Sequence, residues 1–415
     1  MREDSWPEIR IGDLGEVFTG RTPSTEHPSY FGHEFPFITP GDMRQGRYAR
    51  ETNRSLSQEG AELLNRIQLP PNSICVSCIG WQMGETIMTD RPSFTNQQIN
   101  TIVPNGKVEP SFLYYSIRPR KQELLALGAT TGVRTPILNK SAFCDLRVKV
   151  PPLSVQRRIA GILSAYDELI ENSQRRIRIL ETMARALYRE WFVHFRFPGH
   201  DKMKFVGSPV GKIPKGWDVK NLGDVGNTFR GRSYRSEDLA EEGGLPFLNL
   251  KCLDRDGGFR RSGLKRYTGE YKDSHVARKG DIVIAVTDMT QERRIVARAA
   301  LVPTLDQEFG ISSMDLVRIE PKPPMPKAFL YSFLRYSSFA DEVKQHANGV
   351  NVLHLAPERI TDFRFAAPSP DLMYRFDNFV APMFEQINAL ENKIENLRRT
   401  RDLLLPKLIS GEISC

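Results

Sequence analysis

The chain has 415 residues, 40% hydrophobic and 26% charged, with a formal net charge of +8. That length accommodates two or three domains with separate cores. There is no run of eighteen apolar residues and the first thirty are polar, so neither a membrane span nor a secretory leader is expected and the cytoplasm is the expected location; the basic excess permits a nucleic-acid partner without proving one.

The opening, SWPEIRIGDLGEVFTGR (5–21), returns as GWDVKNLGDVGNTFRGR (216–232), with Trp6, Gly15, Phe18 and Gly20-Arg21 repeated as Trp217, Gly226, Phe229 and Gly231-Arg232 at a constant offset of 211. Phe35-Pro36-Phe37-Ile38 is echoed by Leu245-Pro246-Phe247-Leu248, and PPNSICVSCIG (70–80) by RKGDIVIAVTD (278–288). TTGVRTPILNKSAFCDLRV (130–148) is matched by NGVNVLHLAPERITDFRF (348–365), and Pro151 by Pro368. The period is far too long for a solenoid; it marks a duplicated domain of about 150 residues with a tail.

Within each copy, IRIGDL, FPFITP, SICVSCIG, NTIVP, DIVIAV and DLVRIE read as short strands separated by Gly, Pro, Asn and Asp. SFLYYSIRPRKQELLALG and AFLYSFLRYSSFADEVKQHA read as one or two helices in matching places. Cys75 and Cys78 form a single CxxC inside an apolar run. A structural zinc site needs a second ligand pair and none is nearby, so they read as small core residues.

Each copy ends in a long amphipathic stretch. In the first, Val155, Ile159, Ile162, Tyr166, Leu169, Ile177, Leu180, Ala184, Leu187 and Trp191 recur in steps of three and four, with a break near Ser173. In the second, Phe376, Phe379, Met383, Ile387, Leu390, Ile394, Leu397, Leu404 and Leu408 form the stripe. Arg401 interrupts it, Pro382 is expected to kink or delay its first turns, and Pro406 and Gly411 mark its end. An apolar stripe must be covered. Either each helix packs on its own domain, or the two pair antiparallel into a spacer that relates the halves by an approximate two-fold axis.

Catalytic signatures are missing. There is no GxxxxGK[ST] loop, no GxSxG elbow, no HExxH and no Pro-Pro-aromatic methylation motif. Loops carry the chemistry instead: Arg21, Gln97, Gln98, Asn100 and Arg134 in the first copy, and Arg230, Arg232, Gln291, Arg293, Arg294 and Asn351 in the second. Arg suits guanine, and Asn or Gln suits adenine, through paired major-groove hydrogen bonds. The loops differ between copies, TDMTQERRIV (287–296) standing where the first has IGWQMGETIM. Two different half-sites on DNA fit such a tandem better than a palindrome. A coiled-coil adaptor for protein partners, and a nuclease or methyltransferase with a cryptic site, remain open at this stage.

PPLSVQRRIAGILSAYDELIENSQRRIRILETMARALYREWFVHFRFPG (151–199) and LRRTRDLLLPKLISGEI (397–413) resemble the central and C-terminal regions of specificity (S) subunits of type I restriction–modification systems. The paired openings at Trp6 and Trp217 are similar to the starts of their target-recognition domains. The resemblance implies an α+β architecture: two tandem mixed α/β target-recognition domains separated by two long antiparallel coiled-coil-like helices, pseudo-two-fold symmetric. The corresponding bounds are 1–152, a helix at 153–195, a linker at 196–215, 216–369, and a second helix at 370–415. It further implies a non-catalytic prokaryotic subunit that reads a split, asymmetric site on double-stranded DNA. Two modification (M) and two restriction (R) subunits would be its partners, with Ile159, Ile162, Tyr166, Leu180, Leu187, Trp191, Ile387, Leu390, Ile394 and Leu397 as the partner-binding helix residues. No cofactor or metal is expected on this chain; S-adenosylmethionine, ATP and magnesium are expected on the partners.

Overall fold

A computed structural model describes residues 6–44, 46–129 and 135–413. The chain divides into two compact units, Met1–Ser173 with Lys393–Cys415, and Gln174–Asn392. The division cuts both long helices, the first beside Ser173, where the apolar stripe breaks. Among the described residues no helix is long and apolar enough to cross a membrane.

The first unit is built on a four-stranded antiparallel sheet in the order Gly15–Thr19, Ile99–Pro104, Ile74–Ser77, Thr86–Met88. Ile74–Ser77 is buried on both faces, which explains its unbroken apolar run. Cys75 and Cys78 fill this core, and burial pushes both thiols up to about 12. A three-stranded sheet, Arg54–Leu56, Phe31–Ile38 and Phe94–Thr95, flanks it. The helix Pro110–Ile117 starts with proline in its first turn, where the missing N–H costs nothing. It buries Phe112, Leu113, Tyr114 and Tyr115 completely, each contributing roughly 1.5–3 kcal/mol.

The second unit repeats the plan. Its four-stranded sheet runs Gly226–Arg230, Leu316–Pro321, Ile282–Ala285, Ala299–Leu301, beside a five-stranded sheet that includes Leu245–Leu248 and Phe309–Ser312. The duplication extends to individual hydrogen bonds. Gly20 N–H donates to Ile99 O and Gly231 N–H to Leu316 O; Arg21 N–H donates to Thr95 O and Arg232 N–H to Ser312 O. Cys78 N–H donates to Gln98 O and Val286 N–H to Asp315 O, both at 2.8 Å, while Leu138 and Leu355 donate back to Cys78 O and Val286 O. These pairs define equivalent positions more securely than side-chain identity does. The repeated glycine has a steric reason. A Cβ on Gly20 would lie 2.3 Å from Asn96 O, and one on Gly231 2.1 Å from Ser313 O.

Two readings of the sequence are corrected. IRIGDL is not one strand: Glu8–Arg10 is extended and Ile11–Leu14 forms a helical turn, so that Ile11 and Leu14 both point into the core. The segment 196–215 carries a hairpin, Phe205–Ser208 with Gly211–Pro214, and Phe197 stacks on Trp217 at 5.9 Å.

The first long helix is Leu153–Tyr188, followed by a π-helical turn at Arg189–Val193. The second is Pro370–Ser410. It starts ahead of Pro382, which does not delay it, and continues past Pro406 to Ser410. Each proline forgoes one backbone bond, and apolar burial on both sides, at Val380, Phe384, Leu405 and Leu408, holds the helix through it. Gly411, with φ +81°, ends it. Within each unit the two helix segments pack on each other and on that unit's own core. In the first unit Ile159 and Leu163 share a cluster with Leu405, Leu408 and the domain residues Phe112 and Phe143. In the second, Tyr188 and Trp191 meet Phe376 while Phe384 meets Tyr331.

Candidate nucleic-acid interface

The repeated hydrogen bonds bring three chain crossings to one end of each four-stranded sheet. In the first unit these are Gly20-Arg21, Asn96–Gln98 and the stretch from Cys78 to Trp81, closed by Gly80 N–H on Pro136 O at 2.9 Å. In the second they are Gly231-Arg232, Ser313–Asp315 and the stretch after Val286. There Thr287–Asp288 pairs with Leu353–His354.

The predicted residues divide into three groups. Arg21 and Gln97 are exposed at this end, and Gln97 Oε1 accepts from Thr22 Oγ1 at 2.7 Å. Gln98 is half-buried and its Oε1 accepts from Asn96 Nδ2 at 3.0 Å. Arg230 and Asn351 are exposed and Arg232 is half-buried. Gln291 Nε2 donates to Val350 O at 2.7 Å, and Arg293 donates to Gln345 Oε1 at 3.1 Å, so both tie the 289–294 loop to the 345–351 segment.

The remaining three differ from these. Asn100 is buried at 3% exposure. It accepts from Thr19 Oγ1 at 2.7 Å and donates to Leu138 O at 3.4 Å, so it braces the sheet and is withdrawn as a base reader. Arg294 is ion-paired with Glu292, both side chains about half exposed; such a surface pair is weak and leaves the guanidinium available to an anion. Arg134 lies outside the described residues.

Sequence reading passed over Asp288, which organises the second unit's loop. Its carboxylate accepts from Thr290 N–H at 2.8 Å, Thr290 Oγ1 at 2.9 Å and Ile295 N–H at 2.7 Å. Burial alone would lift this acid, but the backbone donors Ile295 and Thr290 hold it below the usual carboxylate range. Asp-x-Thr is the signal that could have found it. Trp81, Met289 and Val350 were also missed; they are 81%, 67% and 89% exposed. Where the first unit has Gln98 the second has Asp315, which accepts from Thr287 Oγ1 at 3.0 Å. The two ends share a frame and differ in chemistry.

The partner-binding set needs correction as well. Ile159, Trp191, Ile387, Leu390 and Ile394 are all at most 9% exposed, and Leu180 and Leu187 pack on the second unit's core. The five buried residues cover this chain's own helices and offer no surface to another protein, while Leu180 and Leu187 are half-buried. Tyr166 and Leu397 are half-buried. Ile162 does face outward, as do Leu169, Ile179, Met183, Phe379 and Leu403.

Two units that each carry Arg and amide side chains on loops at one end of an antiparallel sheet define a DNA-reading protein. The chain belongs to the family described as type I restriction modification DNA specificity domain, whose pattern matches residues 3–182 and 214–396. It is 26% identical over 419 residues to the type I restriction enzyme MjaIX specificity subunit of Methanocaldococcus jannaschii, covering 98% of this chain and 93% of that one. It is 33% identical over 181 residues to the HindI specificity subunit of Haemophilus influenzae, covering 42% of this chain and 39% of the relative. Its fold is similar to that of a type I restriction–modification S subunit from M. genitalium, with a TM-score of 0.63 and 16% identity over 97% and 96% of the two chains.

Proposed function

We propose that this chain is the DNA-reading subunit of a type I restriction–modification complex and is not itself a catalyst. The observation that carries the reading is the doubled loop cluster. One hydrogen-bonded frame is built twice, with Gln98 and Trp81 in one copy and Asp315 and Met289 in the other. An amide suits adenine and a carboxylate accepts from cytosine N4, so the two copies suit different half-sites of one asymmetric target.

Methylation and restriction fall to partner M and R subunits, two of each, and S-adenosylmethionine, ATP and magnesium are bound there. The outward apolar residues of the long helices are the surface for the M subunits. Ile162 and Phe379, each eleven residues past the matched Pro151 and Pro368, occupy the same place in the two copies and are 37% and 57% exposed.

Single-molecule methylome sequencing tests the reading, in a host carrying the neighbouring M subunit with and without this chain. A split, asymmetric motif with methyladenine, present only with the chain, is the expected result. An unchanged methylome would overturn it and favour a protein adaptor.

A further inference from the structure

We infer that Trp81 in the first unit and Met289 in the second are reading residues, each packing against the 5-methyl group of a thymine in its half of the target. The inference rests on the DNA-reading function proposed above and names the base feature that these side chains recognise.

Position is the first argument. Trp81 and Met289 are each the third residue after Cys78 and Val286, whose N–H groups donate to Gln98 O and Asp315 O at 2.8 Å. The duplicated frame therefore carries a large apolar side chain at the same chain position twice, three residues past a crossing shared with Gln98 or Asp315.

Exposure is the second. Trp81 is 81% and Met289 67% exposed, whereas Trp191 and Trp217 are buried and Trp6 half-buried. Val350, 89% exposed, lies on the segment that Gln291 ties to the Met289 loop. Apolar surface grouped this way marks a site that another molecule covers.

Rigidity is the third. Gly80 N–H donates to Pro136 O at 2.9 Å, Met83 N–H to Gly80 O at 3.0 Å and Gly84 N–H to Ser77 O at 2.8 Å. Gly84 has φ +86°, and a Cβ there would meet Lys121 Cα at 2.8 Å. Met289 stands between Asp288 and Thr290, which the Asp288 carboxylate locks together. A side chain displayed on a fixed loop loses little freedom on binding.

The pairing of Trp with Met identifies the contact. Methionine cannot serve as an aromatic stacking platform, so what the two positions share is apolar area. In the major groove the one apolar feature of a base edge is the thymine methyl, and it lies opposite the adenine edge that an amide reads. Gln291 stands on the same loop as Met289, and Gln98 stands on the neighbouring crossing, where its carbonyl accepts from Cys78 N–H, three residues before Trp81.

The test uses the complex of this chain with its M subunits, a duplex carrying the motif that the methylome sequencing yields and a scrambled duplex. Trp81→Ala should weaken target binding about tenfold and scrambled binding by less than twofold, with Trp81→Phe restoring most of the loss. Replacing target thymines one at a time by uracil should find one in each half whose methyl matters, at about fourfold for a lost methyl. That penalty should vanish in Trp81→Ala for one half and in Met289→Ala for the other. Unchanged target binding, or equal losses on both duplexes, would overturn the inference for that residue. Because the two residues are tested separately, a misfolded variant at one leaves the other decisive. Failure of the wild-type complex to prefer its target would sink the DNA-reading proposal itself.

Discussion

The Asp167 carboxylate is ion-paired with the Arg401 guanidinium, side chains 234 positions apart in the chain and each only 6–7% exposed. Asp167 also accepts from Tyr115 Oη at 2.7 Å and lies 3.6 Å from Arg118. The residue that interrupts the second apolar stripe is thus the buried partner of the first helix. Stranding a buried charge costs about 3–5 kcal/mol, whereas replacing both partners by apolar residues is often neutral; Arg401 keeps a second partner in the exposed Asp402 at 2.8 Å, which lowers the cost of removing Asp167 to roughly 2 kcal/mol. Asp167→Ala should therefore lose that much in denaturant unfolding, and Asp167→Leu with Arg401→Met should recover most of it. Equal losses for the single and double variants would show that the pair is not the source.

Asn100 and Gln97 separate bracing from reading. Asn100→Ala leaves Thr19 and Leu138 without their partner and should destabilise by about 1–3 kcal/mol, with any loss of binding shared by target and random DNA. Gln97→Ala should leave stability within about 0.5 kcal/mol and weaken target binding alone by about 1–3 kcal/mol. Thermal melts paired with binding isotherms on both duplexes decide it; a reversed pattern would reassign the two residues.

Asp288 holds its loop only while ionised. Its folded value lies below the usual one, so its contribution is present above an unfolded value near 3.9 and fades as pH falls through the folded value. Hydrogen exchange at Ile295 and Val296 should accelerate in Asp288→Ala at neutral pH. The gap from wild type should close in strong acid, and a pH-independent gap would refute the account.

Glu391 works in the opposite direction. Burial lifts its carboxyl to about 7; Arg261 opposes the shift and Glu181 adds to it. The folded state holds this proton more tightly than the unfolded chain, so stability falls as pH rises from roughly 4.3 to about 7 and then levels off. Glu391→Gln should flatten that fall by about 1–2 kcal/mol, after discounting for solvent screening, in melts from pH 5 to pH 8. An unaltered pH profile would place the group outside the linkage.

Gly20→Ala and Gly231→Ala test the duplicated frame. Each Cβ would collide with a carbonyl oxygen, of Asn96 or Ser313, so each should destabilise its own unit by more than a surface substitution, about 2 kcal/mol. Protease protection of the affected unit would report it, and an alanine tolerated at both sites would contradict the packing.

The duplication, the long helices and the strands were legible because they rest on periodicity and on repeated backbone needs such as Gly20 and Gly231. The site was legible only in outline. Arg21, Gln97 and Gln291 were recognised by side-chain chemistry, but nothing in Asn100's type separates a brace from a reader; that depends on Thr19 and Leu138, which are distant in sequence. Trp81 and Met289 were passed over because a lone apolar residue in a loop carries no hydrogen-bonding signal, and only the fold reveals that these two are exposed. The stripe residues were assigned to partners for the converse reason: periodicity shows that a face is covered and not by what.

In each copy the domain's first strand lies beside its last, Glu8–Arg10 against Arg147–Lys149 and Asp218–Asn221 against Arg364–Ala367. The polypeptide enters and leaves each recognition block at a single seam. A segment exchanged between two such strands would begin and end at neighbouring backbone positions, so its two ends would need no new path through the rest of the unit.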